Sequence, residues 1–331
     1  MFRLILAARL IFTASPALAQ ISYPLIIAHR GASGERPEHT RAAYELAIAQ
    51  GADFIEPDLV MSRDGVLIVR HENEIGGATD VAARPEFAAR RTTRTIDGET
   101  MTGWFTEDFT LAELKTLRTR ERLPAIRPAN TAFDGQEPIL TFEEVLDIAA
   151  AAGVGVVPEL KHPSYFAALG LPMEDAFVAV VERRGLTGAD APVIVQCFEV
   201  GTLQRLRRRI ATRLLQLIAA SGVPFDRPDL TYAAMAMPEG LANIAAYADW
   251  IGADASLIEP MPGAPTALIA DAHAAGLKVA AWTFRAENAF LPEADRIGAA
   301  PAGHGRLPER LARFAAYGLD AAFMDQPGLA R

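Results

Sequence analysis

Short apolar runs alternate with Ala- and Leu-rich helical segments along most of the chain, and this alternation constrains the fold most. Several helical segments end at a glycine with an apolar run close behind, as at Gly153 and Gly276, which is the stop signal expected in αβ units. Near-continuously apolar strands are typical of a parallel sheet covered on both faces. The predicted strands are 25–28, 54–60, 66–71, 154–159, 193–198, 213–218, 250–253, 278–284 and 321–324.

The second and third of these runs are joined by a very short link, residues 61–65, with Asp64-Gly65 as the turn signal. A link of that length cannot return the chain for a parallel strand. Run 66–71 is therefore predicted to be the second strand of an antiparallel hairpin whose first strand is run 54–60. The other eight runs predict an α/β fold, a (β/α)8 TIM barrel, with a doubly wound open sheet as the alternative.

One stretch, from about residue 75 to 138, departs from the alternation because it is polar and holds no strong strand. It follows the hairpin, so we expect an insertion over one barrel face, which in compact domains is commonly a lid or binding loop. Plain solvation of its arginines is the alternative. The arginines are Arg84, Arg90, Arg91 and Arg94.

The first 19 residues resemble a secretory signal peptide. Arg3 and Arg9 flank short apolar runs, Pro16 breaks the segment, and Ala17-Leu18-Ala19 forms a small-x-small cleavage signature. We therefore expect cleavage after Ala19, a single barrel domain over residues 20–331, and a secreted or periplasmic protein. No later run offers the roughly 20 apolar residues of a membrane span, and the residue directly after the cleavage site is Gln20 instead of a cysteine that could carry a lipid, so no stable membrane anchor is expected.

The chain carries 32 Lys and Arg against 41 Asp and Glu, a formal net charge of −9. An acidic protein is a poor candidate for binding nucleic acid or anionic membranes. Cys197 is the only cysteine, so no intramolecular disulfide can form, and in an apolar strand it is expected to pack as a small hydrophobe. The sequence leaves the oligomeric state open.

Carboxylates stand at the ends of two predicted barrel strands, where barrel active sites form. Glu56 and Asp58 are two residues apart on one strand, so they share a face, and Glu159 ends the next parallel strand. Carboxylates held this close repel one another unless a cation lies between them. Their oxygens suit Ca²⁺ or Mg²⁺, so a divalent cation site is predicted there.

Two histidines are predicted to join these acids. His29 ends the first strand, and a turn centred near Asp64 pairs residues whose numbers sum to about 128, which places His71 opposite Pro57. Paired imidazoles suit general acid–base catalysis. Arg30 and Lys161 add positive charge suited to a phosphate group. Together these features favour phosphoryl transfer, and no Gly-x-Ser-x-Gly nucleophile motif is present.

With these residues in this order, the sequence resembles the glycerophosphodiester phosphodiesterase family, and the likeness spans nearly the whole of residues 20–331. The opening stretch 29–40 reads HRGASGERPEHT, and the second block is GADFIEPDL at 51–59, then RDG at 63–65 and HE at 71–72. Later blocks follow in the family's order: PELK at 158–161, QCF at 196–198, WT at 282–283 and MDQP at 324–327.

The resemblance implies a (β/α)8 barrel with an inserted lid that hydrolyses small glycerophosphodiesters to sn-glycerol 3-phosphate and an alcohol, through attack by the substrate's own glycerol hydroxyl. By position, the divalent-cation ligands would be Glu56, Asp58 and Glu159, with Ca²⁺ favoured over Mg²⁺. His29 and His71 would be the acid–base pair. The substrate or phosphate contacts would be Arg30, Lys161 and Trp282.

Some positions depart from the family pattern. His39 stands where many members carry Asn, which with the insertion suggests the exported branch. Glu72 replaces the usual Asp, and Ile75-Gly76-Gly77 replaces Leu-Asp-Arg, so headgroup preference is left open. Two alternatives remain: a phospholipase D or sphingomyelinase-type barrel, and a non-catalytic exported binding protein, which would have lost a histidine or an acid.

Overall fold

In the computed structural model, which describes residues 23–330, one large sheet closes into a barrel. The strands are β1 (Leu25–His29), β2 (Phe54–Glu56), β3 (Asp58–Met61), β4 (Leu67–Val69), β5 (Thr92–Ile96), β6 (Glu99–Gly103), β7 (Gly155–Val156), β8 (Glu159–Leu160), β9 (Ile194–Cys197), β10 (Arg213–Ile218), β11 (Trp250–Asp254), β12 (Lys278–Phe284) and β13 (Ala321–Met324).

Two barrel strands are each interrupted by a proline, which has no N–H to donate. β2 and β3 run on across Pro57, and β7 and β8 run on across residues 157–158. The ladder continues over both breaks, because Val157 N donates to Ile55 O at 2.9 Å and Glu159 N to Pro57 O at 2.9 Å. Counting each pair as one strand gives eight parallel strands, from β1 round to β13, which pairs with β1 again. The predicted (β/α)8 barrel is confirmed.

The predicted hairpin is also present. β4 pairs antiparallel with β3, and its register joins Leu59 to Val69, Val60 to Ile68 and Met61 to Leu67. Each pair of numbers sums to 128, as the turn at Asp64-Gly65 predicts. This register carries the chain onward so that His71 leaves the hairpin beside the barrel mouth.

Helices cover the outside of the barrel between successive strands, and their apolar faces bury the main core against it. The helix Phe142–Ala152, for example, begins at a capping box of Thr141 and Glu144 and ends at Gly153, whose φ is 70°. The helices are α1 (Arg41–Ala49), α2 (Leu111–Leu114), α3 (Phe142–Ala152), α4 (Pro163–Ala168), α5 (Met173–Arg183), α6 (Val200–Arg207), α7 (Tyr232–Met235), α8 (Pro238–Ala245), α9 (Ala255–Ile258), α10 (Leu268–Ala274) and α11 (Leu307–Ala316).

The insertion differs from expectation because it contains the antiparallel hairpin β5–β6. Its strands are mostly exposed, so no apolar alternation marked them. Two of the four predicted arginines pair within the insertion: Arg90 with Glu113 and Arg94 with Asp108, each at 2.5 Å. None of the four predicted arginines lines the central cavity described below. The lid role of this segment stays a prediction.

The predicted signal peptide, residues 1–19, lies outside the described residues. Within residues 23–330, no helix has the length and apolar character that crossing a membrane requires.

Candidate active site

The carboxyl ends of the barrel strands surround a cavity of about 350 Å³. It is polar on one side and apolar on the other, so one ligand could meet charged groups and a packing surface together. Of the residues singled out from the sequence, the cavity is lined by His29, Arg30, Glu56, His71, Glu159, Lys161 and Trp282. Asp58 lies directly behind this lining, 3.5 Å from Lys161 Nζ.

Three buried carboxylates form the acidic part of the site. Glu56, Asp58 and Glu159 each place an oxygen within 4.8 Å of the others. Burial and the charge of Asp58 raise the pKa of Glu56 well above its usual range, and burial raises the pKa of Glu159 to about 7. Burial also disfavours ionised Asp58, but Lys161 and Arg30 outweigh it and hold that pKa well below the usual range. Bringing a cation among these groups would stabilise all three charges.

Arg30 connects the first strand to this triad. Its backbone is left-handed (φ 61°), which turns its N–H toward Glu56 Oε2 at 2.9 Å while its Nε lies 3.1 Å from Asp58 Oδ2. The next residue must be glycine, since a Cβ on Gly31 (φ 85°) would lie 2.7 Å from the backbone of Ala43. The left-handed turn therefore fixes Arg30 against two of the three acids.

His39 and Lys161 complete the contacts of Asp58. His39 is fully buried, and its Nε2 lies 2.9 Å from Asp58 Oδ2 while Nδ1 contacts the hydroxyl of Tyr44. Lys161 Nζ lies 2.8 Å from Glu159 Oε1. Three carboxylates and two permanent cations, Arg30 and Lys161, leave the cluster with a formal charge of −1. A divalent cation would reverse that to +1, which would attract a phosphodiester anion.

His29 is held by a carboxylate from the far end of the chain. Its Nδ1 lies 2.6 Å from Asp325 Oδ1, and since a carboxylate can only accept, Nδ1 donates and Nε2 remains as the free ring nitrogen. Arg127 of the insertion bonds both Asp325 and Glu287, and Arg285 also contacts Asp325. Burial and the neighbouring Arg30 lower the pKa of His29 to about 4, although Asp325 opposes them.

His71 has the same kind of support from its neighbour. Its Nδ1 lies 2.8 Å from Glu72 Oε1, and the other oxygen of Glu72 lies 3.2 Å from Nε2 of His162. His162 in turn contacts Asp97, at the tip of hairpin β5–β6, at 2.6 Å. Burial, with Arg30 and Lys161 nearby, lowers the pKa of His71 to about 3. The imidazoles of His29 and His71 are therefore both held neutral, each with a carboxylate on Nδ1.

The hydrogen bonds that link Asp97 to His71 through His162 and Glu72 should make the stability of the fold depend on pH. Hydrogen bonds to Asp97 and Glu72 outweigh burial and raise the pKa of His162 to about 9. Because the folded state binds this proton more tightly than the unfolded state, protonated His162 stabilises the fold fully below the unfolded pKa of about 6.5. That contribution is lost as pH rises through 9. We expect His162→Gln to lower the free energy of unfolding by at most about 3 kcal/mol at pH 6, measured by urea denaturation. The difference should shrink by pH 10, and a constant difference would contradict this assignment.

Aromatic side chains form the apolar side of the cavity. Trp282 donates its indole N–H to Gly252 O at 2.9 Å, which fixes the ring, and Phe198 packs against it edge-on at 5.8 Å between centroids. Leu217, Phe290 and Phe323 extend this surface. It suits the carbon skeleton of a small ligand whose charged part lies against the triad.

Several site residues were not predicted from the sequence. Asp325 and Gln196 belong to blocks quoted above, but neither had been given a role; Gln196 Nε2 donates to Glu56 Oε1 at 2.9 Å. Both lie at the carboxyl ends of predicted strands, so the rule that located His29 could have found them. Arg122 and Arg127, which come from the insertion, carry no such signal.

Barrel and site together define a hydrolase of the parallel α/β-barrel class that acts on phosphate esters. The family model described as the glycerophosphoryl diester phosphodiesterase family matches residues 29–329. The chain belongs to this family.

Individual relatives agree with that membership. The chain is 38% identical to a glycerophosphodiester phosphodiesterase of Arabidopsis thaliana over 290 residues, covering 82% of this chain and 77% of that protein. It is 29% identical to the glycerophosphodiester phosphodiesterase of Haemophilus influenzae, covering 69% and 68%. The fold matches an Oleispira antarctica phosphodiesterase solved with the product sn-glycerol-3-phosphate, with TM-score 0.60, 22% identity and coverage of 92% and 94%.

Proposed function

We propose that this protein hydrolyses glycerophosphodiesters to sn-glycerol 3-phosphate and an alcohol. The observation that carries the proposal is the convergence of two carboxylate-held imidazoles, His29 and His71, on the buried triad of Glu56, Asp58 and Glu159. Family membership supports it. No histidine or acid of the set is missing, which disfavours the non-catalytic binding protein.

Glu56, Asp58 and Glu159 would hold a divalent cation. Their donors are all carboxylate oxygens, and buried Asp58 Oδ1 makes no hydrogen bond, only a 3.5 Å ion pair with Lys161 Nζ, which leaves it able to bind a cation. Ca²⁺ is favoured over Mg²⁺, since it accepts irregular oxygen shells more readily. When bound, the cation would neutralise charge on the phosphoryl oxygens.

The two imidazoles supply the proton transfers. One takes the proton of the substrate's glycerol hydroxyl as that oxygen attacks phosphorus, and the other protonates the departing alkoxide. The cyclic phosphate that results is opened by water, with the two roles reversed, to give sn-glycerol 3-phosphate. Arg30 and Lys161 orient the phosphate, while Trp282 packs against the glycerol carbons. Neutral imidazoles are ready to accept protons, and the bound anion raises the pKa of the one that must donate.

The deciding experiment is a product assay. Purified protein with Ca²⁺ is incubated with glycerophosphocholine, and glycerol 3-phosphate and choline are quantified. Equal amounts of both products are expected. Choline release from intact phosphatidylcholine or sphingomyelin, with glycerophosphocholine left untouched, would instead favour the phospholipase-type alternative.

Asp325→Asn should lower kcat by roughly 10- to 100-fold, because it removes the carboxylate that orients His29. Asp325 also raises the pKa of His29, so the limb of the kcat/KM profile that reports His29 should move to lower pH, the acid limb if His29 is the base and the alkaline limb if it is the acid. That shift separates positioning from structural damage, which would lower the whole profile without moving it. A profile in which neither limb moves would contradict the role assigned to Asp325.

We also infer export to the periplasm or the medium, and membership of the exported branch, from the signal-like residues 1–19 and from His39. Mass spectrometry of protein recovered from the periplasm or medium should find Gln20 as the first residue. A mature protein that retains Met1 would contradict the inference.

A further inference from the structure

A second cavity, of about 590 Å³, adjoins the first. The two share Glu159, Lys161 and Phe198 in their walls. The second cavity extends from the phosphate-binding side of the site toward the tip of hairpin β5–β6 and the loop that follows β10. Because Lys161 stands in both walls, the headgroup of a substrate whose phosphate lies against Lys161 could extend into the second cavity.

The charges around this cavity are unbalanced in favour of acid. Its two cations are each already neutralised: Lys161 by Glu159 and Asp58, and His162 by Asp97 and Glu72. Glu199 is different. It is 3% exposed, its side-chain bonds go to the N–H and hydroxyl of Ser164 at 3.0 Å and 2.5 Å, and within residues 23–330 no ion pair neutralises it.

Aromatic rings line the same space. Phe198 and Tyr232 meet edge-on, with centroids 6.1 Å apart, and Phe225 stands 48% exposed on the loop after β10. An exposed phenylalanine gains nothing by facing water, but its ring face attracts a cation. Rings beside a carboxylate with no cationic partner are what an alkylammonium group requires.

We propose that the second cavity receives the leaving alcohol and selects substrates whose headgroup is an alkylammonium, with Glu199 and Phe225 as its specificity-determining residues. This inference rests on the proposed function. An anionic headgroup would face Glu199 and the carboxylates of Asp97 and Glu72, of which His162 can neutralise only one, so it should be disfavoured.

The test compares glycerophosphocholine with its neutral carbon isostere, the 3,3-dimethylbutyl ester of glycerol 3-phosphate. The wild-type ratio of kcat/KM for the two should be about tenfold or more in favour of choline, the effect of one desolvated cation–π contact. Glu199→Gln, which keeps an oxygen for Ser164, and Phe225→Ala should each bring the ratio toward one. Because both esters meet the same variant, general loss of activity cancels.

Tyr23→Ala is the matched control, since Tyr23 is an exposed aromatic just before β1, at the opposite end of the barrel; its ratio should equal that of the wild type. A wild-type ratio near one, a ratio unchanged in both Glu199→Gln and Phe225→Ala, or faster cleavage of glycerophosphoglycerol, whose headgroup has no ammonium, than of glycerophosphocholine would overturn the proposal. Failure to cleave either ester would refute the proposed function instead, and calorimetric binding of the two esters would then still decide the cavity's preference.

Discussion

Removing divalent cations with a chelator should abolish hydrolysis of glycerophosphocholine, and adding Ca²⁺ back should restore it. Without a cation the ionised forms of Glu56 and Glu159 lose their stabilising partner, because burial raises both pKa values, and the site lacks the charge that would neutralise the phosphoryl oxygens. We expect Mg²⁺ to restore less activity than Ca²⁺. Full activity after thorough chelation, with metal content checked by elemental analysis, would disprove the metal assignment.

Binding provides a measurement that does not depend on turnover. Glu159→Gln should weaken Ca²⁺ binding, followed by calorimetry, by more than the roughly 10- to 100-fold loss typical of an outer-shell partner. Glu174→Gln is the matched control, because Glu174 is a buried carboxylate on α5 that pairs with Arg205, outside the triad. Equal affinities for the two variants would mean that Glu159 is not a ligand.

Replacing His71 with alanine should lower kcat by roughly 10²- to 10⁴-fold, the usual contribution of a positioned acid or base. KM should change much less, since Arg30 and Lys161 remain to hold the phosphate. The side chain of His71 is 25% exposed, so its loss opens no deep cavity, and the thermal midpoint should stay close to that of the wild type.

His273→Ala serves as the comparison, because His273 is an exposed histidine on α10, paired with Asp320 outside the cavity. Its kcat should match that of the wild type. An unimpaired His71→Ala variant would remove the catalytic role that the hairpin register suggests for this residue.

Strand positions were predictable because each barrel strand is a short apolar run with its own turn signals. The hairpin register followed from Asp64-Gly65 alone, since a tight turn leaves one pairing that keeps both apolar faces buried. Hairpin β5–β6 was missed because its exposed Thr-rich strands show no apolar alternation. The dipeptide Asp97-Gly98 at its tip was the available signal.

The triad and both histidines were predictable because these polar residues stand at or beside the carboxyl ends of apolar strands. Their supporting contacts were not, because no local pattern relates residues so distant in sequence. His29 and Asp325 are 296 positions apart, and Arg127 reaches Asp325 across 198. Such pairs are fixed by barrel closure and by the path of the insertion, which only the three-dimensional arrangement supplies.

The pairing of His29 with Asp325 also sets a time order for biosynthesis. The histidine belongs to the first barrel strand, β1, and its carboxylate partner directly follows the last barrel strand, β13. A nascent chain could therefore carry every proposed metal ligand and both imidazoles and still lack an oriented His29 until β13 and Asp325 emerge and the barrel closes. Contacts of such long range form late in folding. Catalytic competence would thus report that the last barrel strand has been made and has closed the barrel, and a chain truncated before Asp325 would be left with a misaligned imidazole.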